Sequence, residues 1–68
     1  MEWSKGAHVE VYDFEGEHWR EAIVLQPTWM IDGYPYMQVR YTTTSDADDF
    51  AATVWIAPEL VERHVRQA

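Results

Sequence analysis

Residues 19–26 have the sequence Trp-Arg-Glu-Ala-Ile-Val-Leu-Gln, and this stretch decides the fold. Alternate positions put small apolar residues on one face and larger ones on the other: Ala22 and Val24 against Trp19, Ile23 and Leu25. A strand that is apolar on both faces is typical of the centre of a sheet. Because proline has no N–H to donate to a neighbouring strand, we expect this strand to end at Pro27.

The stretch 19–26 is the second predicted strand, and three other runs have the period of two that is typical of half-buried strands. The first strand is His8–Asp13, in which Val9 and Val11 are predicted to face inward. The third strand, over residues 34–43, alternates two sets: Met37, Val39 and Tyr41 against Tyr36, Gln38 and Arg40. The fourth is Ala51–Ile56, where the inward pair is either Val54 and Ile56 or Thr53 and Trp55.

Turn-forming and polar residues separate these runs. Glu15-Gly16-Glu17 predicts a short turn, and residues 27–33 predict a loop that ends in the turn dipeptide Asp32-Gly33. Residues 44–49 predict an acidic, solvated loop. After Pro58 the apolar period changes, which predicts a short helix from about 58 to 66; the alternative is one helical turn followed by a fifth strand. Together these elements predict a single domain over residues 1–68, mostly β: a small five-stranded antiparallel barrel with a short C-terminal helix.

Composition narrows the function classes. The chain has 12 acidic and 5 basic residues, a net charge of −7, which disfavours direct binding to a nucleic-acid backbone and favours a basic partner. It has no cysteine, and its two serines, Ser4 and Ser45, fall in predicted loops, so we expect no catalysis. His8, His18 and His64 follow no ligand spacing and are interpreted as surface histidines, so neither a metal nor a cofactor is expected.

No apolar run approaches the roughly 20 residues that a membrane span needs, and the N-terminal residues lack the blocks of a signal peptide. We therefore expect a soluble, intracellular protein, cytoplasmic or nuclear.

Three segments together resemble the Tudor/Agenet branch of small SH3-like barrels. These are Lys-Gly-Ala-His-Val-Glu-Val at 5–11, Trp-Arg-Glu-Ala-Ile-Val at 19–24 and Tyr-Met-Gln-Val-Arg-Tyr at 36–41, and the resemblance covers about residues 5–62. Domains of that family hold a methylated lysine or arginine in an aromatic cage beside a carboxylate. The resemblance implies Trp19 as the matching ring, with possible walls from Tyr12, Tyr36, Tyr41, Asp46, Asp48 and Phe50. The alternative is that Trp19 and Tyr41 only pack the core or cover a barrel end.

Trp29, Met30 and Ile31 are three bulky apolar residues in the predicted loop 27–33. Adjacent exposed apolar side chains usually mark an interface, so they predict a partner surface, including a homodimer. The alternative is a lid over the barrel end.

The function predicted from these features is non-enzymatic binding of another protein that presents a basic segment, with lysine or arginine either methylated or not. An alternative of a different class is a free-standing acidic regulator or inhibitor, such as a DNA mimic encoded by a phage or plasmid. A protein of that kind docks on a nucleic-acid-binding protein by presenting carboxylates in place of phosphates.

Overall fold

The computed structural model describes residues 3–42 and 52–68. Along the chain the elements are β1 (His8–Asp13), β2 (His18–Ile31), β3 (Tyr34–Tyr41), β4 (Thr53–Ile56), α1 (Pro58–His64) and β5 (Val65–Gln67). The strands form one antiparallel sheet in the order β4-β3-β2-β1-β5, which places β2 at its centre as predicted. The mostly-β fold class, with five antiparallel strands and a short helix, is confirmed, and this architecture is compatible with a small barrel.

The core is made of aliphatic side chains and one methionine, most of them from one face of the sheet. Nine apolar residues are at most 6% exposed: Val9, Val11, Ala22, Val24, Met37, Val39, Ala52, Ile56 and Val65. The register pairs Val9 with Ala22 and Val24 with Val39, so the inward residues of β1, β2 and β3 meet across the sheet. These are the inward positions that the alternation predicts for β1 and β2.

The fourth strand resolves a choice that its sequence left open. Ile56 is buried and Val54 packs against the core, whereas Trp55 between them is exposed. The inward pair is therefore Val54 and Ile56. Within the described residues β4 begins at Thr53, opposite Arg40 of β3.

The prediction that the second strand ends at Pro27 is wrong, and so is the predicted loop 27–33. Strand β2 runs on to Ile31, and its register against β3 shifts between Val24 and Gln26 and again between Gln26 and Trp29. Pro27 lies within the second irregularity, where a missing N–H breaks no regular ladder. Pairing then resumes, so that only Asp32 and Gly33 separate the two strands.

The Asp32-Gly33 turn sets the register of this hairpin. Both residues have positive φ, 50° and 84°, as a two-residue type I′ turn requires. Its twist matches that of the flanking strands, so Ile31 pairs directly with Tyr34.

The predicted C-terminal helix ends two residues early. Helix α1 begins at Pro58, where the missing N–H is not needed, and stops at His64. Val65 is extended and opens β5, which pairs with β1 through Val11 and Val65. The chain therefore contains both the helix and the fifth strand, because the β-branched Val65 enters the core while its backbone pairs with the open edge of β1. None of the helices in the described residues has the length and apolar character that crossing a bilayer requires.

The turn gives a prediction for stability. Gly33→Ala introduces a side chain into open space, with no atom within 4 Å of the new Cβ, so only the left-handed backbone is strained. We expect the free energy of unfolding to fall by about 1–2 kcal/mol, measured by denaturant titration. The control is Asp32→Asn, because asparagine tolerates the same backbone region; it should leave the free energy of unfolding nearly unchanged. Equal stability of Gly33→Ala and the wild type would contradict the turn assignment.

Candidate functional site

A cleft of about 380 Å³ lies at the end of the sheet where β1 and β3 stop. Its lining combines rings, acids and one base: Tyr12, Asp13, Phe14, Glu15, Arg20, Tyr41 and Val54. We call it the end cleft. Tyr12 and Asp13 close β1, Phe14 and Glu15 begin the following turn, and Tyr41 is the last residue of β3. The end cleft is therefore formed by residues that are distant in sequence, from the β1–β2 hairpin, the end of β3 and Val54 of β4.

Arg20 is the cation of the end cleft. It pairs with Val11, and Tyr41 pairs with Ala22, so Arg20 and Tyr41 both project from the core face of the sheet. The Arg20 guanidinium carbon lies 3.7 Å from the centroid of the Tyr41 ring, and one guanidinium nitrogen lies 3.5 Å from a carboxylate oxygen of Asp13. The end cleft thus already contains a guanidinium that stacks on a ring and faces an acid.

Two ionisable groups of the end cleft respond to this arrangement. Desolvation acts to raise the pKa of Asp13, but it is outweighed by the backbone N–H groups of Gly16 and Glu15 and by the charges of Arg20 and His18, so the pKa of Asp13 is lowered. The Glu15 N–H donates to the Asp13 carboxylate at 3.0 Å. Burial raises the pKa of Tyr41, and the Arg20 charge only partly offsets it. Tyr41 is therefore held neutral and Asp13 ionised at neutral pH.

An aromatic cluster borders the end cleft on its outer side and consists of Tyr12, Phe14, Trp19 and His64. The Tyr12 ring makes edge-to-face contacts with Phe14 and Trp19, at centroid distances of 5.1 and 5.5 Å. His64, at the end of α1, lies 4.7 Å from the Phe14 ring centroid. Phe14 is nevertheless 60% exposed, so it presents ring surface to solvent beside the carboxylates of the turn.

A second guanidinium covers Trp19. The Arg66 guanidinium carbon lies 3.9 Å from the Trp19 ring centroid, and Arg66 Nε donates to Glu10 Oε1 at 2.8 Å. Both ion pairs, Arg20–Asp13 and Arg66–Glu10, are partly solvated, and such pairs contribute little to the free energy of unfolding. Their consequence for binding is that one face of Trp19 is already occupied by a cation of the chain itself.

The structure brings together some of the residues predicted for an aromatic cage. Tyr12 and Tyr41 line the end cleft, and Trp19 contacts Tyr12 but does not line the cleft. Tyr36 pairs with Trp29 near the turn of the β2–β3 hairpin, away from the end cleft. Asp46, Asp48 and Phe50 lie outside the described residues.

Four residues in or beside the end cleft were not predicted from the sequence as site residues: Phe14, Arg20, His64 and Arg66. Phe14 carried a usable signal, because an aromatic residue directly before the acidic turn is a candidate for exposure. The other three could not be found from local patterns, since their roles depend on contacts between distant strands and the helix end.

The predicted partner surface lies in a strand rather than in a loop. Trp29 and Met30 are 44% and 60% exposed in β2, and Ile31 is half-buried. These residues form part of the far end of the β2–β3 hairpin.

Two other grooves, of about 370 and 280 Å³, flank Trp3 beside α1. In both grooves the acidic residue that contributes to the lining is Glu62. Across residues 3–42 and 52–68, no group of three histidine or acidic side chains is placed to hold a metal ion.

No family, curated protein or solved structure gives a significant match to this chain.

The lowered pKa of Asp13 predicts a pH-dependent stability. A carboxyl whose pKa is lower in the folded state stabilises that state above its ordinary value of 3.8, and this contribution is lost as the pH falls towards the folded pKa. We expect Asp13→Asn to destabilise the chain at pH 7 and to have a much smaller effect near pH 3, in denaturant titrations. Glu17→Gln, in the same turn and exposed, is the control. A destabilisation by Asp13→Asn of equal size at both pH values would refute the assignment.

Proposed function

We propose that this chain is a non-enzymatic binding module that holds a basic side chain of another protein in the end cleft. The observation that carries the proposal is the stacking of Arg20 on Tyr41 at 3.7 Å beside Asp13. The chain's own guanidinium already makes the contacts that an incoming lysine or arginine requires, namely a ring face and a carboxylate.

Ring surface remains for a second cation. Phe14 is mostly exposed, and Tyr12 is half-buried beside it, so their rings offer faces on the solvent side of the end cleft. The exposed Glu15 follows Phe14 and adds a carboxylate at the rim. A basic side chain that enters along Phe14 meets both a quadrupole and a negative charge.

The overall charge supports a basic partner. A net charge of −7 on 68 residues attracts cationic segments over several ångströms and raises their association rate. It also opposes phosphate-backbone ligands, which carry the same sign of charge.

Methylated side chains suit such a site better than unmethylated ones. Methylation keeps the positive charge but removes hydrogen-bond donors and lowers the cost of desolvation, so contact with rings gains relative weight. The resemblance to Tudor/Agenet domains points to the same ligand class. We therefore propose methylated lysine or arginine as the preferred form.

The test is a titration of the chain with short basic peptides that carry unmodified or methylated lysine or arginine. Binding is followed by calorimetry, with tryptophan fluorescence as a second signal because Trp19 borders Tyr12. We expect Phe14→Ala to weaken the best peptide by roughly 3- to 30-fold, as loss of one good ring contact predicts.

The matched control is Tyr34→Ala, an exposed ring that lies at the far end of β3. It should leave the affinity unchanged. Failure of every cationic peptide to bind, or equal affinity of Phe14→Ala and the wild type, would overturn the proposal.

A second candidate function is favoured by a separate observation. Glu15, Glu17 and Glu21 are all exposed on the β1–β2 hairpin, where they form a negative surface. Such a surface matches an acidic regulator that occupies the nucleic-acid site of a basic protein.

Competition with DNA for a lysine-rich histone fragment tests this candidate. If it is correct, the chain displaces DNA, displacement weakens steeply as salt rises, and the triple variant Glu15→Gln, Glu17→Gln, Glu21→Gln loses it. Phe14→Ala should then compete as well as the wild type, which separates this function from ring-dependent binding. Competition that is indifferent to salt would rule the candidate out.

A further inference from the structure

Two rings and two acids stand together on the outer face of the β1–β2 hairpin. The register pairs Tyr12 with Trp19 and Glu10 with Glu21. Paired residues in antiparallel strands point to the same side of the sheet, and residues two apart along a strand share that side. Because Val11, between Glu10 and Tyr12, is buried in the core, these four side chains lie on the face opposite the core. We call Glu10, Tyr12, Trp19 and Glu21 the ring–acid patch.

Arg66 covers this patch from the edge of the sheet. It lies on β5 opposite Glu10 of β1, and its side chain crosses β1 to reach Trp19 of β2. The guanidinium carbon is 3.9 Å from the Trp19 ring centroid, and Nε donates to Glu10 Oε1 at 2.8 Å. The ring–acid patch therefore already holds a guanidinium, with a ring against its flat face and a carboxylate at its edge.

The Arg66 side chain is held weakly. The side chains of Arg66 and Glu10 are 53% and 33% exposed, so water and salt screen their ion pair. Strand β5 has three residues and lies at the edge of the sheet, and helix α1 before it has no buried residue and no side-chain N-cap. Val65 is the residue that holds β5 in the core. The Arg66 side chain therefore leaves the patch by rotation about its own bonds, while the strand stays in place.

We propose that the ring–acid patch binds an arginine side chain of a partner protein, which takes the place of Arg66. The incoming guanidinium stacks on Trp19 and donates to Glu10, as Arg66 does, and Glu21 adds a second carboxylate on the same row. The displaced Arg66 side chain is solvated. Arg66 is thus a built-in competitor, and the affinity of the patch depends on how readily the ligand displaces it.

The geometry favours arginine over lysine. A guanidinium is planar, so its face stacks on a ring while the N–H groups in its plane donate to a carboxylate. Arg66 makes both contacts at the same time. An ammonium group is a compact, strongly hydrated charge that does not combine a flat stack with in-plane donation. Lysine therefore loses one of the two contacts.

This site is separate from the end cleft. Glu10, Trp19 and Glu21 do not line that cleft, and Tyr12 is the residue that borders both. The inference goes beyond the function proposed for the end cleft and does not depend on it. Variants of Arg66 and Glu10 probe the patch, whereas Phe14→Ala probes the cleft.

A nuclear magnetic resonance titration of the 68-residue chain with N-acetylarginine amide tests the inference. The reporter is the indole N–H resonance of Trp19, which is assigned with Trp19→Phe. We expect the wild type to bind with a dissociation constant on the order of 1 mM, and N-acetyllysine amide to bind at least about threefold more weakly. Arg66→Ala should bind the arginine probe roughly three- to tenfold more tightly, because no intramolecular cation competes.

The matched control is Arg63→Ala, which makes the same change in net charge at an exposed position of α1. It should leave the affinity at the wild-type value. In the Arg66→Ala background, Glu10→Gln should weaken binding at least about threefold while the Trp19 reporter is retained. If circular dichroism shows that Arg66→Ala is unfolded, Arg66→Gln replaces it and should give the same tightening.

Four outcomes would overturn the inference. The first is a Trp19 resonance that the arginine probe does not shift in the wild type or in the Arg66 variant. The second is equal tightening in Arg63→Ala and Arg66→Ala, which would assign the effect to net charge. The third is lysine binding as tight as arginine binding. The fourth is binding that Phe14→Ala abolishes and Glu10→Gln leaves intact, which would assign the probe to the end cleft.

Discussion

The structure depends on a core that is built from aliphatic side chains and Met37 and that contains no ring within the described residues. In this five-stranded sheet the largest fully buried side chains are Met37, Val9, Val24 and Val39, and Ala22 of the central strand β2 is also fully buried. A 68-residue chain can bury only part of its surface. Every aromatic side chain in the described residues is therefore half-buried or exposed. The rings lie at the ends and on the outer face of the sheet, where they remain accessible to solvent.

The chain limits the exposure of some of these rings with its own cations. Arg20 covers Tyr41 and Arg66 covers Trp19, and each guanidinium is also paired with an acid. Two residual surfaces follow from this. One lies around Phe14 and is acidic; the other contains Trp29, Tyr34, Tyr36 and Trp55 on the face of the sheet opposite the core. The first surface lies beside the carboxylates of Asp13 and Glu15, whereas the second consists of rings, so the two surfaces differ in charge.

Much of the fold could be predicted from the sequence because alternation reports directly on which face a residue occupies. It placed Val9 and Val11 inward and β2 at the centre. It could not show that β2 continues past Pro27, because the continuation depends on register shifts that residues of β3 accommodate. Nor could it locate the change from helix to strand at Val65, which depends on the open edge of β1.

The candidate site was less accessible to sequence reasoning, for a physical reason. Tyr12 and Tyr41 could be named because each ends a predictable strand, but the contacts of Arg20 and Arg66 join residues whose proximity depends on the whole topology. The distances from those guanidinium groups to their rings, 3.7 and 3.9 Å, decide which ring faces remain free. A local pattern contains no information about them.

The two ring surfaces lie at opposite ends of the same strand. Tyr34 begins β3 on the outer face of the sheet, and Tyr41 ends β3 in the end cleft. Tyr34 is exposed, whereas Tyr41 projects from the core face and is covered by Arg20. The core positions between them, Met37 and Val39, are fully buried and carry no ring. Because the buried part of β3 takes only these two side chains, its rings are left at the two ends of the strand, one on each face of the sheet.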